Sequence, residues 1–195
     1  MTESLKKFQL QNHLSDEDVR HLTDQMHSES FRKNDFVIEE GTRNSNLYLV
    51  TKGILRYVAD SIGYEITYWF VLPGEITFST WGYVNNARSQ MSIIAATDAE
   101  VLVISKEKLN ELFESSLKMA NLGRRLMEQY NLQYEEGMLN YYDNPNATAR
   151  YEYMMRRYPQ VIQEVPLQYI ASYLGITPQS LSRIRAEYRR RSRRE

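Results

Sequence analysis

The stretch LQYIASYLGITPQSLSRIRAEYRR, residues 167–190, decides the fold of the C-terminal part of the chain. Ile170 and Leu174 stand four residues apart on one helical face, and Ala171 between them is small enough to let a second helix approach. Gly175 falls where a helix reverses through a left-handed residue without a side-chain penalty, and Ile176 plugs the corner. Thr177 can cap the following helix, and Pro178 suits its first position, where a missing N–H is harmless. Leu181, Ile184 and Tyr188 then form a buried stripe at i, i+3 and i+7. Two short helices joined by a tight glycine turn predict a helix-turn-helix.

Projecting the second helix at about 100° per residue, with Leu181, Ile184 and Tyr188 inward, puts Gln179, Ser182, Arg183 and Ala186 on the opposite face. Gln can engage adenine through two hydrogen bonds and Arg can grip guanine at O6 and N7, while the short Ser182 and Ala186 allow close approach to the groove floor. Thr177, Ser180, Arg185, Arg189, Arg190 and the arginines beyond are suited to phosphates, which set register and salt-dependent affinity. The other use of such a hairpin is a solvated polar face with no partner.

Charge supports the first use. Residues 147–195 hold ten basic side chains against four acidic, whereas the rest of the chain holds 14 against 21. A local excess of this kind is the electrostatic footprint of a segment that meets a polyanion.

Working back toward the N-terminus, residues 14–28 are predicted to be helical, with Ser15 as cap, Asp16, Glu17 and Asp18 in the first turn, and Leu14, Val19, Leu22 and Met26 at near-helical spacing. From Phe31 the period becomes two. Phe36 and Ile38, and the segments 47–51, 54–59, 65–72, 91–95 and 100–104, read as short strands punctuated by turns at Gly41, Gly53, Gly63 and Gly74. They predict a compact antiparallel β domain of sandwich, jelly-roll or small-barrel type. Ser105 can cap a helix beginning at Lys106. A longer helix is expected over 116–142, carrying Met119, Leu122, Leu126, Tyr130, Tyr134, Met138 and Tyr141 on one stripe. That stripe needs a cover, either the chain's own β domain or a second copy of itself. Gly123 and Gly137 lower its intrinsic helicity by about 1 kcal/mol each relative to Ala. Pro145 ends it, and another helix is expected from Thr148 to Tyr158, stopped by Pro159. The fold class is therefore α+β, with a β roll over 1–115, a long helix over 116–143 and an all-α helix-turn-helix domain over 144–195.

Composition narrows the chemistry. The chain has 195 residues, 42% hydrophobic and 25% charged, in the range of ordinary globular proteins. With no cysteine, a disulfide framework, a thiolate zinc site and a cysteine-ligated iron–sulfur cluster are excluded. The opening MTESLKKFQLQNHL has no secretory core and no apolar run approaches bilayer length, so a cytoplasmic protein without a membrane partner is expected. The histidines are His13, His21 and His27, and the last two fall on different faces of one helix, so no metal site is expected. Glu39-Glu40 and Glu135-Glu136 are adjacent pairs whose side chains diverge. No phosphate loop or nucleophile elbow occurs. No enzyme and no catalytic residue is expected.

NLYLVTKGILRYV (46–58), AEVLVISKEKLNELF (99–113) and above all IASYLGITPQSLSRI (170–184) together resemble the Crp/Fnr superfamily of bacterial transcription regulators across essentially the whole chain. The resemblance implies an N-terminal helix, a cyclic-nucleotide-binding-like β roll, a dimerisation helix and a DNA-reading helix-turn-helix. It further implies a homodimer on a two-fold-symmetric double-stranded operator, with RNA polymerase as a further partner. Gln179, Ser180, Ser182 and Arg183 stand at positions that family members use to contact the operator. Pro178 replaces an arginine frequent in cyclic-AMP-responsive members, so a different operator is expected.

The phosphate-binding cassette of those members, Phe-Gly-Glu followed after a loop by Arg-Ser or Arg-Thr, is degenerate. Alignment of the flanking strands puts Phe78 and Ser79 at the Gly-Glu positions and Ser89 at the arginine's, with Arg88-Ser89 restoring that pair only by a one-residue shift. Phe78, Ser79, Arg88 and Ser89 thus mark the expected effector pocket, for a small molecule other than cyclic AMP or for none; Phe78, Trp69 or Trp81 could fill it. The family's wing is not expected either, and the arginine-rich end is expected to hold phosphates in its place. Two further readings remain at this level: a regulatory module whose C-terminal helices bind a protein, and a cupin-like enzyme, which would need metal ligands.

Overall fold

The structure, a computed structural model, describes residues 1–61, 63–144 and 146–191. The helix-breaking Pro145, Ile62 of the Ser61–Gly63 turn and the terminal Arg193 and Arg194 lie outside the described residues, as do the side chains of residues 61 and 140–143, Tyr141 among them.

In chain order the elements are α1 (Glu3–Gln11), α2 (Asp16–Thr23), β1 (His27–Phe31), β2 (Phe36–Ile38), β3 (Leu47–Lys52), β4 (Leu55–Ser61), β5 (Tyr64–Val71), β6 (Ile76–Thr77), α3 (Thr80–Asn85), β7 (Ser92–Ala95), β8 (Ala99–Ile104), α4 (Lys106–Ser115), α5 (Leu117–Asp143), α6 (Ala147–Arg157), α7 (Pro159–Glu164), α8 (Leu167–Tyr173) and α9 (Pro178–Arg191). The strands form two four-stranded sheets, ordered β1-β8-β3-β6 and β2-β7-β4-β5, and every pairing is antiparallel. This is the α+β class expected, a β roll followed by a long helix and a helical end.

Facing side chains of the two sheets, among them Val50, Val101 and Val103 against Leu55, Val71 and Ile93, close the sandwich interior. The outer face of the first sheet is covered as well. Leu47, Leu49 and Ile104 meet Phe8 of α1, Val19 and Leu22 of α2, Leu109 and Leu112 of α4, and Met119, Leu122 and Leu126 of α5. On the outer side of the second sheet Phe70 of β5, with Ile54, Leu72 and Ala96 at the strand ends, joins one core with α6, α7, α8 and Leu181 of α9. Antiparallel sheets commonly leave one face to water; here helices cover part of the outer face of each sheet, and the C-terminal helices supply one of the covers.

Several local expectations are met in detail. Ser15 and Asp18 form a reciprocal capping box on α2, and the Ser105 hydroxyl accepts from the Lys108 N–H to cap α4. Others are corrected. The helix expected over 14–28 ends at Thr23, and His27–Phe31 instead pairs with β8. That strand is a polar sheet edge, HSESF, so it has no apolar alternation to display. Pro159 does not merely stop α6; it occupies the first turn of α7, where proline is tolerated. Gly123, counted above only as a helix weakener, lies where a side chain would strike the ring of Phe113, so it lets α4 and α5 cross closely.

Candidate nucleic-acid interface

The helix-turn-helix is built from its turn outward. At the end of α8 the Ile176 N–H donates to the Ala171 carbonyl at 3.0 Å and the Gly175 N–H to the Ser172 carbonyl at 3.1 Å, the paired bonds of a Schellman motif. Gly175 sits at φ +67°, the left-handed geometry that the motif requires. The Thr177 hydroxyl then accepts from the Ser180 N–H at 3.2 Å, and Pro178 opens α9. Leu174 and Leu181 are fully buried between the two helices, with Ile176, Ile184 and Tyr188 packed partly against them. Arg150 of α6 braces the turn, donating to the carbonyls of Leu174 and Asn144, each at 3.0 Å. Composition could count Arg150 as charge but not place it under a helix end.

The residues expected to read DNA divide into two sets. Gln179, Ser182, Arg183 and Ala186 are exposed together on α9, and Thr177, Arg189, Arg190 and Arg191 are exposed at its two ends. The Ser182 hydroxyl donates back to the Pro178 carbonyl at 3.0 Å, which keeps this part of the helix surface low. Ser180 and Arg185 are only half-exposed. The Ser180 hydroxyl pairs with Thr177 at 3.0 Å. Arg185 lies against the buried Tyr151, whose hydroxyl is raised by burial and lowered in part by Arg185 and Arg189. Arg183 and Arg185 are alike in sequence, yet one faces outward and the other helps to hold the hairpin on α6.

The β roll places the four residues expected to mark an effector pocket differently. Phe78 is buried, its ring 4.6 Å from Tyr130 of α5 and 5.0 Å from Tyr83. The Ser79 hydroxyl is used to cap α3, accepting from the Gly82 N–H at 3.1 Å. Arg88 is exposed and donates to the Gly41 carbonyl at 2.6 Å, while the buried Ser89 donates to the Met91 carbonyl at 2.6 Å. The backbone of α3 presses on the loop at Asn44, where a side chain on Gly82 would come within 1.9 Å of a carbonyl oxygen. Trp69 of β5 stacks on Tyr130 and Tyr134 of α5, at 6.0 Å and 6.1 Å between centroids; Trp81 is 40% exposed. These residues do not fit a cyclic nucleotide. At the aligned positions the buried Phe78 ring stands for glycine, Ser79 for the carboxylate and Ser89 for the arginine, and the neighbouring Arg88 is turned onto Gly41. An open cleft of about 370 Å³ lies elsewhere, between Lys33, Lys52, Thr97, Asp98 and Glu164.

Among the described residues no cluster of His, Asp and Glu could hold a metal ion, and no helix is long and apolar enough to cross a membrane.

Residues 28–116 match the family model of the cyclic nucleotide-binding domain. No curated protein sequence matches the chain. Among solved structures, the c-di-GMP-responsive global regulator CLP of Xanthomonas campestris superposes with a TM-score of 0.72 at 16% identity, over 91% of this chain and 93% of that one. A Crp/Fnr-family protein from Eubacterium rectale gives 0.67 at 18% identity, over 94% and 88%. FixK2 of Bradyrhizobium japonicum gives 0.65 at 19% identity, over 86% of each.

Proposed function

We propose that this protein, which joins a cyclic nucleotide-binding domain to a helix-turn-helix in the fold of the Crp/Fnr regulators, is a homodimeric, sequence-specific DNA-binding transcription regulator. The observation that carries the reading is the outward face of α9. Gln179, Ser182 and Arg183 are exposed together within two turns of a capped helix N-terminus, which is the part of a recognition helix that meets base edges. Arg183 and Gln179 would specify bases, while Thr177, Arg189, Arg190 and Arg191 would hold phosphates. Two such heads related by a two-fold axis call for a pseudo-palindromic site, and transcriptional output then requires contact with RNA polymerase.

The degenerate cassette supports a regulator that does not respond to cyclic AMP. The experiment is selection of bound sites from random duplex DNA, followed by binding of Arg183→Ala to the recovered site with and without cyclic AMP. A two-fold-symmetric motif is expected, with a loss of about 1–3 kcal/mol and relaxed preference at one base position for the variant, and no cyclic-AMP dependence. Failure to enrich any motif, with Arg183→Ala indistinguishable from wild type, would transfer the helical end to a protein partner instead.

A further inference from the structure

Arg56 lies on the outer face of β4 and is only 2% exposed, although it belongs to the β roll and points away from the sandwich interior. What buries it is the helix-turn-helix. The ring of Tyr169 on α8 covers the guanidinium at 3.7 Å from its central carbon. Behind it, Nη1 donates to Glu65 at 2.6 Å and to Thr67 at 3.2 Å on β5, while Nε makes no hydrogen bond among the described residues. Around this stack the seam is hydrogen-bonded at three further points. The Thr67 N–H donates to the Ser172 hydroxyl at 2.9 Å, that hydroxyl donates to the Glu65 carbonyl at 3.0 Å, and the Tyr169 hydroxyl donates to Asn34 at 2.7 Å. The Phe70 and Tyr173 rings close the far side at 5.4 Å.

We infer that Arg56 is a positioning residue of the sensor that clamps α8 and thereby fixes the direction in which α9 presents its reading face; this inference rests on the DNA-binding reading above. A buried cation is costly unless it is paired and hydrogen-bonded, so an apolar residue would serve mere adhesion better. The planar guanidinium supplies what an apolar contact lacks. Nη1, tied to Glu65 and Thr67 on β5, fixes the plane of the group, and Tyr169 stacks on that plane, so the contact selects one rotation of α8 about its axis. The rotation passes to α9 because the two helices share the buried Leu174 and Leu181 and the Schellman turn. While α8 is docked, Gln179, Ser182 and Arg183 all remain exposed. The docked geometry is therefore one that leaves the reading face open, and the clamp holds the head ready to bind.

The test compares the full-length wild type with Arg56→Ala, Arg56→Lys, Tyr169→Leu and the Arg56→Ala/Tyr169→Leu double variant. Two readouts are used: hydrogen exchange of segments 64–72 and 167–175, and affinity for the duplex recovered by site selection. Arg56→Ala and Tyr169→Leu should each raise exchange in both segments about tenfold, leave β8 protected and weaken duplex binding about five- to twentyfold. The double variant should be little worse than either single one, because both remove the same contact. Arg56→Lys should not rescue, since an ammonium offers no plane for Tyr169 to stack on. Tyr169→Leu acts from the head side and keeps the test valid if Arg56→Ala does not fold. Unchanged exchange overturns the clamp. Raised exchange with unchanged or tighter duplex binding overturns its positioning role. If exchange rises and the wild type binds no duplex, the clamp stands and the DNA reading falls.

Discussion

Asp18 ties two helices with one carboxylate. It closes the capping box of α2 with Ser15 and also meets Lys118 of α5 at 2.5 Å. Burial acts to raise its carboxyl, but the hydrogen bonds from Lys118 and Ser15 outweigh burial and hold it at about 2. The unfolded value is about 3.9. The stabilisation is therefore complete above that value and is lost as pH falls toward 2. Asp18→Asn should lower the melting temperature at pH 7 by roughly 2–4 °C, and the gap to wild type should close between about pH 4 and pH 2. Calorimetric scans of both proteins at pH 7, 4, 3 and 2 check this, and a gap that stays constant with pH would show that the carboxylate charge is not what joins the helices.

Among the elements, α5 changes its company along its length. Met119, Leu122 and Leu126 are buried on the β roll, Tyr130 and Tyr134 stack on Trp69, and Leu132, Met138 and Leu139 stand 42–57% exposed. Met138 carries the stripe past the point where the chain's own core ends, whereas Leu132 and Leu139, seven residues apart, form a second exposed apolar line on the other side of the helix; a second copy is the cover for that line that fits a proposed homodimer. Leu132→Glu combined with Leu139→Glu should shift sedimentation from dimer to monomer while leaving far-UV circular dichroism unchanged, because neither side chain belongs to the core. A persistent dimer would place the seam elsewhere. The stripe from Met119 to Met138 was legible from spacing; the second line at Leu132 and Leu139, and the place where the cover changes, were not, because periodicity tells which side chains share a face and not what lies opposite. The same limit applies to β5. Its run Trp69-Phe70-Val71-Leu72 reads as a strand, and the run breaks alternation because Phe70 and Leu72 meet the helical end while Val71 meets the sandwich. The helix-turn-helix was legible because Gly175, Thr177 and Pro178 act within a few residues of one another. Arg185 on Tyr151 and Arg56 under Tyr169 were not, since those partners are far apart in sequence and only the tertiary fold joins them. The short α3 and the polar edge β1 escaped for a different reason: neither has enough apolar positions to establish a period.

Across the whole molecule, charge and packing are distributed on different plans. The core under the helical end is continuous with the second sheet, so the two halves are mechanically joined, yet nearly all the excess positive charge belongs to the helical end and the β roll is net acidic. A uniformly basic surface would adhere to DNA in any orientation; an acidic roll repels the phosphates and leaves one end to approach. Arg189, Arg190 and Arg191 lie exposed on the last turn of α9, beyond Gln179, Ser182 and Arg183, the residues proposed to face bases. Their contribution should therefore be long-range and indifferent to sequence. Replacing all three by Ala should weaken binding to the selected operator and to unrelated duplex by a similar factor. It should also reduce the slope of log K against log salt by about 0.9 for each phosphate contact removed, whereas Arg183→Ala should lower affinity mainly for the operator. Salt titrations of both variants on both duplexes separate the two roles. If the triple variant loses affinity for the operator alone, or keeps the wild-type slope, these arginines do not hold phosphates, and the positive end of the molecule must meet DNA through other side chains.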